Sequence, residues 1–89
     1  MKRYVLKKQV RLKYDEASGK FYAFCIETGD HFILNKTGYL ILKYMQEGKT
    51  PDQIAAVLSK SMNMDVESVM NDINQFLELS EKNDIIAYK

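Results

Sequence analysis

The chain has 89 residues, 46% of them hydrophobic and 28% charged, the size and composition of one globular domain spanning residues 1–89 with one modest core. Its net charge of +1 excludes a molecule drawn as a whole to nucleic acid or to an acidic membrane. No apolar run approaches the roughly 20 residues that span a bilayer, no signal-peptide hydrophobic segment develops, and the single cysteine, Cys25, suits a reducing cytoplasm.

Residues 1–9 are basic, with Lys2, Arg3, Lys7 and Lys8, and read as a solvated, loosely ordered segment, or as a dock for an acidic partner surface. Val10, Leu12 and Tyr14 then alternate with Arg11 and Lys13, the period of a half-buried strand. Residues 15–20 are polar, contain Gly19 and read as a hairpin loop. Residues 21–26 form a second strand, and Thr28-Gly29-Asp30 a second turn. His31, Phe32, Ile33 and Leu34 follow as a third strand, closing a three-stranded antiparallel meander. Cys25 reads as a small buried hydrophobe, and His31 as an ordinary edge histidine with no second metal ligand near it.

After Asn35 the period becomes helical. Tyr39, Leu40, Leu42 and Met45 suit a helix of about two turns, closed by Gly48 in the left-handed region. Thr50, Pro51 and Gln53 make a capping box with proline at the first helical position, opening a second helix through Ile54, Val57 and Leu58. Asp65 caps a third, with Glu67 near its positive end. Val66, Val69, Met70, Ile73, Phe76, Leu77 and Ser80 trace a stripe wider than one buried face needs. Asn83 can end this helix in the left-handed region, and residues 84–88 leave as an extended tail packed on the core. A short-strand meander followed by three helices is an α+β, winged-helix-like fold.

The run Phe32-Ile33-Leu34-Asn35-Lys36-Thr37-Gly38 resembles the PqqD family, also called RiPP recognition elements, whose members carry Leu-Asn-x-Thr-Gly after their third strand. The likeness continues through Ile41 and Leu42, the turn at residues 47–50, Ile54 with Leu58, and Asp72-Ile73 with Phe76-Leu77, covering residues 10–86. Leu42 stands where many members have Trp, and Asn83 where many have Gly. The resemblance implies binding of the leader segment of a ribosomally made precursor peptide, added as a strand beside the third strand and seated against the third helix. It implies presentation to a maturation enzyme, such as a radical S-adenosylmethionine enzyme, a cyclase or a leader peptidase.

An edge strand exposes unpaired backbone groups that an extended peptide can satisfy, so His31, Phe32, Ile33 and Leu34 are expected to pair with it. The surplus apolar width of the third helix makes Val69, Ile73 and Phe76 candidates for lining a groove, with plain core packing as the alternative for each. Asp72 is either a solvated helix residue or the partner of a basic peptide residue. A micromolar dissociation constant, roughly −8 kcal/mol, fits such contacts, and the open edge allows a monomer or a weak dimer.

Winged-helix DNA binding is the rival reading. The third helix carries Glu67, Asp72, Glu78 and Glu81 against Lys82, a charge that phosphates repel, so no nucleic-acid partner is expected. Catalysis lacks an activating arrangement, and neither a metal site nor a cofactor is expected.

Overall fold

A computed structural model describes residues 4–88. In chain order the elements are β1 (Tyr4–Leu6), β2 (Val10–Asp15), β3 (Lys20–Cys25), β4 (His31–Leu34), α1 (Lys36–Gln46), α2 (Pro51–Met62), α3 (Val66–Lys82) and β5 (Ile86–Tyr88). β2, β3 and β4 form an antiparallel sheet in that order, and with the three helices they make the α+β, winged-helix-like arrangement. Hydroxyl and carboxylate groups hold the turns. The Asp15 carboxylate accepts from Ser18 Oγ at 2.8 Å and the Asp30 carboxylate from Thr28 Oγ1 at 2.9 Å, the local bonds that make these residues good turn formers.

A second sheet joins the two ends of the chain. β1 pairs with β5 antiparallel, Tyr4 opposite Tyr88 and Leu6 opposite Ile86. Part of the segment expected to be loosely ordered, Tyr4–Leu6, is therefore a strand, and the tail it pairs with is one too. Residues 1–3 of the basic start lie outside the described residues.

Each helix begins with a side chain accepting a hydrogen bond from a backbone N–H that lacks an intrahelical partner. For α1 it is Asn35, bonded by the Gly38 N–H at 2.7 Å. α2 has the full capping box, Thr50 N–H to Gln53 Oε1 at 2.9 Å and Gln53 N–H to Thr50 Oγ1 at 3.3 Å. α3 has Asp65, bonded by the Ser68 N–H. α1 starts at Lys36, three residues before the apolar period does, because the Asn35 cap decides its origin. Gly48 closes it at φ +95°, a conformation that costs glycine nothing.

The end of α3 differs from expectation by one residue. Asn83 keeps φ −93°, and Asp84 takes the left-handed conformation at φ +59°. The Ile85 N–H then bonds the Ser80 carbonyl at 2.9 Å, the closure of a Schellman motif. That reversal sends Ile85 and Ile86 into the core, where Ile41, Leu42, Ile54, Leu58 and Leu77 meet the inner face of the sheet at Val10 and Ala23. Each large aliphatic buried there contributes about 1.5–3 kcal/mol.

Candidate functional site

The register of the sheet decides which backbone groups of β4 are free. Cys25 N–H bonds the Asp30 carbonyl at 2.9 Å, so Cys25 and Asp30 are a hydrogen-bonded pair. Such pairs alternate along an antiparallel ladder, which makes Ala23–Phe32 and Phe21–Leu34 hydrogen-bonded and Phe24–His31 and Tyr22–Ile33 not. The other side of β3 agrees. Ile26 N–H bonds the Gln9 carbonyl, which commits Phe24 and Tyr22 to β2. The N–H and C=O groups of His31 and Ile33 therefore point away from β3, off the open edge of the sheet. Phe32 and Leu34, also expected to pair with a peptide, spend their backbone groups on β3.

Side chains divide the same residues the other way. Phe32 and Leu34 turn inward, half-buried against the core, while His31 and Ile33 face outward, Ile33 being 68% exposed. The His31 ring stacks on Phe24 at 5.9 Å between centroids.

On α3 the expected lining splits. Val69 is 2% exposed and Ile73 0%, so neither offers surface to a peptide. They sit at the centre of the buried face, where α3 packs on α2 and the core. Phe76 is half-buried and Asp72 exposed. Helix geometry sets Asp72, Phe76, Leu79 and Asn83, at i, i+4, i+7 and i+11, on one strip along the flank. Leu79, 59% exposed, is the residue that sequence reasoning missed. Its signal was the i+3 spacing from Phe76, but it falls outside the stripe that a buried face requires.

The flank lies beside β4. A Cβ on Gly38 would come within 2.8 Å of the Phe76 ring, so Phe76 touches the first turn of α1, immediately after Leu34. At the other end, Asn83 lines a cavity of about 180 Å³ together with Phe32 of β4, Cys25, Glu27 and Asp30. Phe32 and Leu34 on β4, with Phe76 and Leu79 on the flank of α3, are thus the apolar side chains available for a shelf along the open backbone edge. Cys25 is half-exposed, contrary to the buried position expected of it. Hydrogen bonds from the side chain and backbone of Thr28 hold its thiol below the ordinary value, because they favour the thiolate. Among the described residues no group of three or more His, Cys, Asp and Glu could hold a metal ion. No helix among them is long and apolar enough to cross a membrane.

Fold and edge together define a small α+β domain in which β4, among the described residues, leaves one backbone edge open. The family model for Coenzyme PQQ synthesis protein D (PqqD) matches residues 23–86, and the chain belongs to that family. Similar solved structures include TbiB1 in complex with the TbiA(beta) leader peptide, 21% identical with a TM-score of 0.81 over 92% of this chain and 93% of that one. Lasso peptide synthetase B1 complexed with its leader peptide is 18% identical, with a TM-score of 0.84 over 96% and 98%. These two likenesses concern the fold. The solution NMR structure of the PqqD truncation of Methylobacterium extorquens PqqCD, a functional and stand-alone RiPP recognition element, is 25% identical, with a TM-score of 0.81 over 94% and 87%. No curated protein matches the sequence.

Proposed function

We propose that this chain captures the leader segment of a ribosomally made precursor peptide as a further strand on β4 and presents it to a separate maturation enzyme. The observation that carries this reading is the outward-facing backbone of His31 and Ile33 running beside the shelf of Phe32, Leu34, Phe76 and Leu79. Backbone pairing supplies affinity with little demand on sequence, and the shelf takes alternate leader side chains. Val69 and Ile73 support the shelf from beneath. The solved complexes of similar fold contain leader peptides, which supports the same assignment. A radical S-adenosylmethionine enzyme, a cyclase or a leader peptidase would take up the presented precursor. The work belongs in the cytoplasm, where precursors are made and a lone thiol stays reduced, and the chain acts there as a monomer or weak dimer without catalysing a step itself. Glu67, Glu78 and Glu81 on the exposed face of α3 oppose the DNA-binding alternative.

Ile33→Pro is the test, with the labelled leader of a precursor encoded beside this chain as the probe. The Ile33 side chain is exposed and its N–H faces off the sheet, so proline there leaves the domain's own ladder intact. It removes one donor to the peptide, worth about 1 kcal/mol net, and sets its ring against the incoming strand. Fluorescence anisotropy is expected to show affinity falling at least fivefold, whereas Ile33→Thr, which keeps the N–H, binds as the parent does. Equal affinity for the proline variant, with the fold intact by circular dichroism, would refute strand addition on β4.

A further inference from the structure

Resting on the leader-binding reading, we infer that the groove selects a leader segment with a basic residue at each end of a short apolar stretch. The strip on α3 begins with a carboxylate, Asp72, continues through Phe76 and Leu79, and ends at Asn83. At that end the cavity is lined by three carboxylates, Glu27, Asp30 and Asp84, against the one ammonium of Lys7. Lys7 Nζ already lies 3.1 Å from Asp84 Oδ1. Neither ion pair among the described residues involves Glu27, Asp30 or Asp72, and the Asp30 carboxylate accepts a hydrogen bond from Thr28 Oγ1. The middle of the groove is apolar and both of its ends are acidic.

Length and parity then fix the pattern. Eleven steps of helix from Asp72 to Asn83 rise about 16 Å at 1.5 Å per residue, so the same-face spacings of an extended peptide that fit, at about 3.3 Å per step, are i to i+4 and i to i+6. Side chains of an added strand alternate, so the basic and apolar residues that enter the groove share one parity, with intervening residues turned to the outer face beside His31 and Ile33. The cavity is roomy enough for the head of a lysine or arginine, since a liquid water occupies about 30 Å³. Three acidic residues line the cavity against the single carboxylate at the other end, which makes this the stronger end. Glu27, Asp30 and Asp72 are all exposed, so solvent screens a pair formed at either end.

Selection from a displayed library of random ten-residue peptides tests the inference whatever the natural precursor is. Selected peptides are expected to carry Lys or Arg flanking apolar residues at alternate positions. Replacing the basic residue at the cavity end by Gln should weaken binding about fivefold, the upper end for an exposed ion pair. The same loss should appear with the parent peptide on the Glu27→Gln/Asp30→Asn protein. Asp72→Asn should relax the preference at the opposite end about threefold. Peptides that depend on the Ile33 N–H but show no basic preference, or that bind both acidic-end variants as they bind the parent, overturn the charge inference and leave leader binding standing. Peptides indifferent to Ile33→Pro, or no selected peptides at all, overturn both.

Discussion

Cys25 shows how a single side chain reports on the site without belonging to its chemistry. Its thiol sits in the wall of the cavity beside Phe32 and Asn83, with its ionisation moved downward first by the Thr28 hydroxyl and then by the Thr28 backbone. A lowered folded-state value means a larger thiolate fraction at any pH below it, and the thiolate is the species that reacts. Iodoacetamide should therefore alkylate Cys25 at pH 7 faster than it alkylates a cysteine in an unstructured peptide. The profile of rate against pH should be displaced to lower pH, and Thr28→Val should move it back up. A peptide seated along β4 covers the cavity wall, so saturating peptide is expected to slow the reaction severalfold. Mass spectrometry over a time course measures both effects, and an unchanged rate in the complex would place the peptide elsewhere.

At the level of elements, the contact of α1 with α3 has almost no slack. A Cβ at Gly38 would stand 2.8 Å from Phe76 Cε1 and 3.2 Å from Asn35 Oδ1, the atom that caps α1. Alanine in place of glycine gains up to about 1 kcal/mol of helix propensity, and overpacking costs about 1–3 kcal/mol. Because the ring and the cap must both yield, the clash wins, and Gly38→Ala is expected to lower stability by about 1 kcal/mol in urea denaturation. Adding Phe76→Leu, which shortens the obstructing side chain, should restore part of that loss relative to Phe76→Leu alone. Such tight contacts explain which elements are legible in the sequence. The start of α2 is, because Thr50, Pro51 and Gln53 state it within four residues, and so is β4, a short apolar run bounded by the Thr28-Gly29-Asp30 turn and by Asn35. The flank of α3 is not, because an apolar stripe fixes the centre of the buried face, at Val69 and Ile73. The proposed groove lies along the margin, where Leu79 stands among polar neighbours. The early start of α1 and the shift from Asn83 to Asp84 depend on cap geometry, which residue type constrains only to within a position or two.

Across the whole molecule, the feature least visible in sequence is the pairing of the two ends. Three residues on each side make an intrinsically weak ribbon, and closing a loop across nearly the full chain costs entropy before any contact forms. What holds it is burial, since Ile85 and Ile86 are core residues and Tyr4 and Leu6 pack against that core. The Lys7 N–H also bonds the Ile85 carbonyl at 3.1 Å. The Lys7–Asp84 ion pair beside it is a different kind of contact, with the Asp84 side chain 82% exposed, and pairs of that exposure contribute between nothing and about 1 kcal/mol. The two contributions can be separated. Deleting residues 1–6 strips the partner strand and the cover from Ile86, and should cost several kcal/mol, at about 1.5–3 kcal/mol for each large apolar side chain fully uncovered. Lys7→Met keeps strand and backbone bond and should change stability by under about 1 kcal/mol. Urea midpoints at matched pH and salt distinguish the cases, and a Lys7→Met loss equal to that of the deletion would assign the closure to charge. Since β5 follows directly from the turn at Asp84 that shapes the acidic end of the groove, the deletion should also weaken peptide binding. The ribbon then acts as the clamp that keeps the end of α3 in place against β4.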